Sequence, residues 1–123
     1  MIAVDTNIVI AYLGDEPSVV NRIESAVSSG ETVIVPTVVI AETFAYPYID
    51  EALTTRIHNW LDTGVMIKSF DLPLAERSAT IRRATKIKLT DCIIAATALA
   101  YGAPLATRDQ QFKKVPDLTI LAW

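Results

Sequence analysis

Short apolar runs alternate along the chain with longer stretches in which apolar residues recur at helical spacing. The runs "MIAV" at 1–4, "TVIV" at 32–35, "VMIKSF" at 65–70, "PLAT" at 104–107 and "LTIL" at 118–121 read as strands. Between them, "PSVVNRIESAVSSG" places Val19, Ile23 and Val27 at steps of four and stops at Gly30. "TVVIAETFAY" opens a helix one residue after Pro36, and "DEALTTRIHNWLDTG" sets Leu53, Ile57 and Leu61 on one face before closing at Gly64. "PLAERSATIRRATK" begins with Pro73 near a first helical turn. "DCIIAATALAYG" follows Thr90, which is expected to cap it. This alternation predicts α/β units around a mostly parallel sheet of about five strands. No repeat, low-complexity tract or linker interrupts it, so residues 1–123 are expected to form a single domain.

With 51% hydrophobic residues in 123, the chain is long enough to bury one sizeable core. Its mean hydropathy of +0.34 raises the question of a membrane span. The longest uncharged run, Cys92 to Thr107, is broken by Gly102 and Pro104 before ~18–20 apolar residues accumulate. The first residues lack the basic and apolar regions of a secretory signal, and Asp5 would interrupt one. Cys92 is the only cysteine, which rules out an intrachain disulfide. The expectation is a cytoplasmic protein without a membrane partner. A net charge of −3 argues against coating nucleic acid through a broad basic surface, though not against local phosphodiester chemistry. The basic clusters "RRATKIK" and "RDQQFKK" read as solvated helix faces.

The candidate chemistry lies in four acids. Asp5 ends the first strand and Asp109 lies just past the fourth, equivalent positions in a parallel sheet. Ligands of such sheets bind outside the carboxyl ends of the strands, where acids distant in sequence converge. Asp91 opens a helix, and Glu42, early in the helix after the second strand, is an isolated carboxylate among apolar residues. Each has a plainer alternative: Asp5 and Asp109 as helix caps, Asp91 as a partner for the helix dipole, Glu42 as an exposed helical acid. Carboxylates sharing one mouth repel and raise each other's pKa unless a cation sits among them. A set of acids without clustered His or Cys suits Mg²⁺, and the chemistry that fits is phosphodiester hydrolysis.

The ordered series "AVDTNIVIAYL", "PTVVIAE" and "KLTDCIIAATALAYGAPLATRD", with the closing strand, resembles the PIN-domain ribonucleases over essentially the whole chain. It resembles in particular the short VapC toxins of bacterial and archaeal toxin–antitoxin pairs. That resemblance implies a three-layer α/β/α sandwich with a central parallel sheet. It places the family's acidic quartet on Asp5, Glu42, Asp91 and Asp109, with Mg²⁺ or Mn²⁺ as cofactor and RNA as the substrate of endonucleolytic cleavage. Thr6, Asn7 and Thr107 match polar positions beside the acids that orient ligands or water. Two departures stand out: "TRD" replaces the "TRN" or "TND" frequent in relatives, and "KLT" stands where many have a proline before the helix. The resemblance also implies a homodimer and a small DNA-binding, VapB-like antitoxin whose tail lies in a groove. Ile8, Ile10, Tyr12 and Leu13 are candidates for that groove or for plain core.

His58 has no partner at metal-ligand spacing, and Cys92 opens an apolar run without a nearby histidine, so both read as structural. Trp60, Trp123, Tyr46 and Tyr48 read as packing residues before RNA-stacking ones. A receiver-type signalling module would need an adjacent acidic pair after the first strand and a lysine on the last; "DTN" and "LTILAW" supply neither. A PIN domain that only binds a partner, and a PIN nuclease of RNA processing without an antitoxin, are the remaining alternatives.

Overall fold

The computed structural model describes all of residues 1–123. In chain order the elements are β1 (Ile2–Val4), α1 (Thr6–Leu13), α2 (Pro17–Ser28), β2 (Val33–Pro36), α3 (Thr37–Phe44) and α4 (Glu51–Leu61). Then follow β3 (Met66–Lys68), α5 (Leu72–Thr85), α6 (Leu89–Ala100), β4 (Leu105–Thr107), a 3₁₀ turn at Gln110–Lys114 and β5 (Ile120–Ala122). The strands form one sheet in the order β3-β2-β1-β4-β5, and every pairing is parallel. The chain therefore starts at the centre, steps outward through β2 and β3, and then crosses to the other side of β1. Right-handed crossovers in two opposite directions put helices on both faces, which gives the expected three-layer α/β/α sandwich. The reversal lies between β1 and β4, and such a switch point opens a crevice at the strands' carboxyl ends.

The inner strands are apolar on both faces because helices cover both: Ala3, Val4, Ile34, Val35, Leu105 and Ala106 are fully buried. Helix α6 owes its place to small side chains. Cys92, Ala95, Ala96 and Ala98 are fully buried with Ile94, so the helix lies close against its neighbours. Edge strands are shorter than the apolar runs that announce them. In "VMIKSF" only Met66–Lys68 pairs, since β3 has a neighbour on one side alone, and the last strand, Ile120–Ala122, starts two residues into "LTIL" and ends one residue past it.

Three local expectations are corrected. Val27 is 51% exposed, and Ala26 takes the inner place below Val19 and Ile23, because a step of three serves that face as well as a step of four. Thr90 does not cap α6: the helix starts at Leu89 behind Lys88, which leaves Asp91 in the first turn. Glu42 lies in the second half of α3. Ile57 is buried on α4 with Trp60, while Leu53 and Leu61 are half-buried. No helix is long and apolar enough to cross a membrane.

Candidate active site

Asp5 follows β1 directly and caps α1, its Oδ1 accepting from the Thr6 amide at 2.7 Å. Its other oxygen, Oδ2, accepts from the Thr107 hydroxyl at 2.7 Å, a bond joining the ends of β1 and β4. That side chain is only 5% exposed. Thr6 serves two acids, because its hydroxyl donates to Glu42 Oε1 at 2.8 Å while its amide serves Asp5. Thr107 also works twice, accepting from the Asp109 amide at 3.0 Å. Asp109 caps the 3₁₀ turn, with Oδ1 accepting from the Gln111 amide at 2.8 Å. The capping roles of Asp5 and Asp109 are thus real, and they coexist with convergence.

Electrostatics show that convergence. Burial pushes the Asp5 carboxyl above its usual range; the Thr107 and Thr6 hydrogen bonds hold it back, and the charges of Glu42 and Asp109 raise it again. The Asp91 carboxyl is pushed up to about 6, first by burial and then by the charges of Asp5, Asp109 and Glu42. All four acids therefore share one field. Only Lys88 pulls Asp91 back. No three His, Cys, Asp or Glu side chains stand close enough to enclose an ion by themselves, so the acids share a field without closing a ligand shell.

The other candidates sort clearly. Thr6 and Thr107 are bonded to the acids, whereas Asn7 is exposed and bonded to none of them. Ile8 and Leu13 are core, but Ile10 and Leu13 also line a cavity of about 120 Å³ with Thr43, Tyr46 and Leu53. Tyr12 lies against Trp60 with ring centroids 5.6 Å apart, beside a second cavity of about 290 Å³. The exposed His58 packs on Phe44, with ring centroids 5.4 Å apart, and Cys92 is fully buried with its thiol pushed up by burial. Sequence reasoning missed Lys88. It was absorbed into the basic run "RRATKIK", and its position three residues before Asp91 at a helix start was the available signal.

The PIN domain family model matches residues 2–118. The chain belongs to the PIN domain family. Its structure is similar to that of VapBC2 from Rickettsia felis bound to a promoter DNA fragment, with 24% identity, a TM-score of 0.85 and coverage of 100% of this chain and 99% of that one. It is also similar to FitAcB from Neisseria gonorrhoeae, with 27% identity, a TM-score of 0.77 and coverage of 99% and 97%. A toxin–antitoxin complex from Klebsiella pneumoniae matches at 25% identity with a TM-score of 0.77, covering 97% of this chain and 96% of that one. The resemblance to a VapC-type PIN domain, read from the sequence, is borne out by the family match and these structures.

Proposed function

We propose that this chain is a divalent-metal-dependent endoribonuclease, acting as one unit over residues 1–123, and the toxin of a VapBC-type pair in the cytoplasm. The observation that carries this reading is the field shared by Asp5, Glu42, Asp91 and Asp109 at the switch point of the sheet. The donor set fits a hard cation: it offers carboxylate and hydroxyl oxygens, and the Asp5 and Asp91 carboxyls are raised first by burial and then by their acidic neighbours, both of which a bound cation would offset. Asp5 and Asp91 would hold Mg²⁺ or Mn²⁺, with Glu42 and Asp109 beside them, directly or through water. Such an ion polarises a phosphoryl oxygen and lowers the pKa of bound water.

The chain's own part is orientation. Thr6 and Thr107 fix both oxygens of Asp5 and one of Glu42, which leaves their remaining lone pairs in set directions. Asp91 has no side-chain hydrogen bond and sits where the helix start favours its charge. Together they position a water for attack on phosphorus as a P–O ester bond breaks. Asn7, exposed and not bonded to the acids, would meet substrate.

Likeness to a toxin–antitoxin complex and to FitAcB, at 25% and 27% identity, supports the toxin reading over RNA processing. A VapB-like partner would use the cavities along α1 and α4, and the proposed working form is a homodimer, as in the VapC resemblance. The test is incubation of purified protein with labelled single-stranded RNA and with tRNA, in Mg²⁺, Mn²⁺ or chelator. Internal cleavage that needs the metal is expected. Metal-independent cleavage, or none of either RNA, contradicts the reading.

A further inference from the structure

The acids pose a problem for a substrate that is itself a polyanion, and the fold supplies one local answer. Among the chain's 11 lysines and arginines most side chains are committed. Arg56 and Arg108 pair with Asp15 and Glu16, Arg82 holds two carbonyls, Lys68 lies on the Tyr101 ring and Lys114 bonds Gln111. Lys88 is exposed and has no hydrogen-bond or ion-pair partner. Arg77, Lys86 and Lys113 are also exposed and unpaired, but Lys88 alone stands at the start of α6, three residues before Asp91, whose charge it favours.

Its backbone, by contrast, is fixed from both sides. Arg82 Nη1 donates to the carbonyls of Lys86 at 2.5 Å and Ile87 at 2.6 Å, closing the turn between α5 and α6. Lys86 takes a left-handed conformation there (φ 60°), and Ile87 is buried in the core. On the other side the Lys88 carbonyl accepts from the Cys92 amide at 3.0 Å as α6 begins. Lys88 thus presents an unpaired ammonium, on a flexible four-carbon stem, from a fixed backbone position three residues before Asp91.

We infer that Lys88 binds a backbone phosphate of the RNA adjacent to the one being cut, and so positions the strand across the acids. This rests on the nuclease reading and assigns the phosphate contact to a residue outside the acidic quartet. A role confined to balancing Asp91 would alter cation affinity; a phosphate contact alters RNA affinity and its salt dependence.

The test compares wild type, Lys88→Gln and Lys88→Arg, each also in an inactive Asp5→Asn background for binding. The probe is a fluorescein-labelled single-stranded RNA, followed by anisotropy over a salt series. In the Asp5→Asn background, Lys88→Gln is expected to weaken binding about tenfold. It should also flatten the log–log salt slope by about 0.7, the value for one lost phosphate contact on a single strand. In the active enzyme KM rises by a similar factor, while kcat and the half-saturating Mg²⁺ stay within about twofold, and Lys88→Arg restores binding. Unchanged RNA affinity and slope, or a shift in half-saturating Mg²⁺ with KM intact, overturns the assignment while the nuclease stands. If wild type neither cuts nor Asp5→Asn binds any RNA, both readings fall together.

Discussion

The Thr107 hydroxyl donates to Asp5 Oδ2 at 2.7 Å across 102 positions of sequence, and Thr107 Oγ1 itself accepts from the Asp109 amide at 3.0 Å. One buried hydroxyl thus ties the end of β1 to the loop after β4, and two of the four acids depend on it. Thr107→Val keeps the shape and removes the bond. It leaves a carboxylate and an amide short of a partner, and should cost ~1–3 kcal/mol in urea denaturation. Cleavage should fall with it, whereas Thr107→Ser, which keeps the hydroxyl, should retain most of both. Equal stability of the Val variant and wild type would show that the bond carries no weight.

The pH response of the metal-free protein follows from Asp91. Its carboxyl is raised from 3.8 to about 6, so between those values the folded chain holds a proton that the unfolded chain has released. Stability from this group is therefore highest at low pH, declines as pH rises through the window and is level above it. Asp91→Asn removes the effect. In chelator the variant should match wild type near about pH 4 and exceed it above about pH 6, as read from urea midpoints. Protons and cation compete for the same carboxylate, so Mn²⁺ affinity of wild type should climb to about pH 6 and then flatten. A wild-type minus variant difference that does not change with pH would contradict the assigned carboxyl.

Phe112 is fully buried and belongs to the 3₁₀ turn that Asp109 caps. Its ring anchors the turn to the core and, through the cap, holds Asp109. Phe112→Ala should cost ~3–5 kcal/mol and lower cleavage measured below its melting range, while Phe112→Leu should lose less of each. Loss of stability with full activity per folded molecule would separate the turn from the acidic site.

Much of this fold was legible because its signals are strong and local. "MIAV" and "TVIV" announce inner strands, and "CIIAATALA" announces a helix buried on nearly every side. The finer placements depended on tertiary packing. Whether Ala26 or Val27 faces inward turns on how α2 is rotated against the sheet, which periodicity at three and four cannot decide. Lys88 looked like part of a basic run because its setting is made by Arg82 reaching forward to the Lys86 and Ile87 carbonyls to close the turn. The four acids were legible as candidates, yet capping and convergence looked like rival explanations of Asp5 and Asp109. They are not rivals, since a carboxylate has two oxygens and several lone pairs, and capping uses only part of them.

The central claim, that acids from four separate segments form one cation site, is tested most directly by calorimetric titration of Mn²⁺ into wild type and Asp5→Asn, Glu42→Gln, Asp91→Asn and Asp109→Asn. Wild type should bind with a clear saturating isotherm. Asp5→Asn and Asp91→Asn should weaken binding by about tenfold or more, and Glu42→Gln and Asp109→Asn by less, because the proposed site puts the latter two beside the ion, directly or through water. Binding that is absent in wild type, or unchanged in both Asp5→Asn and Asp91→Asn, would contradict the account.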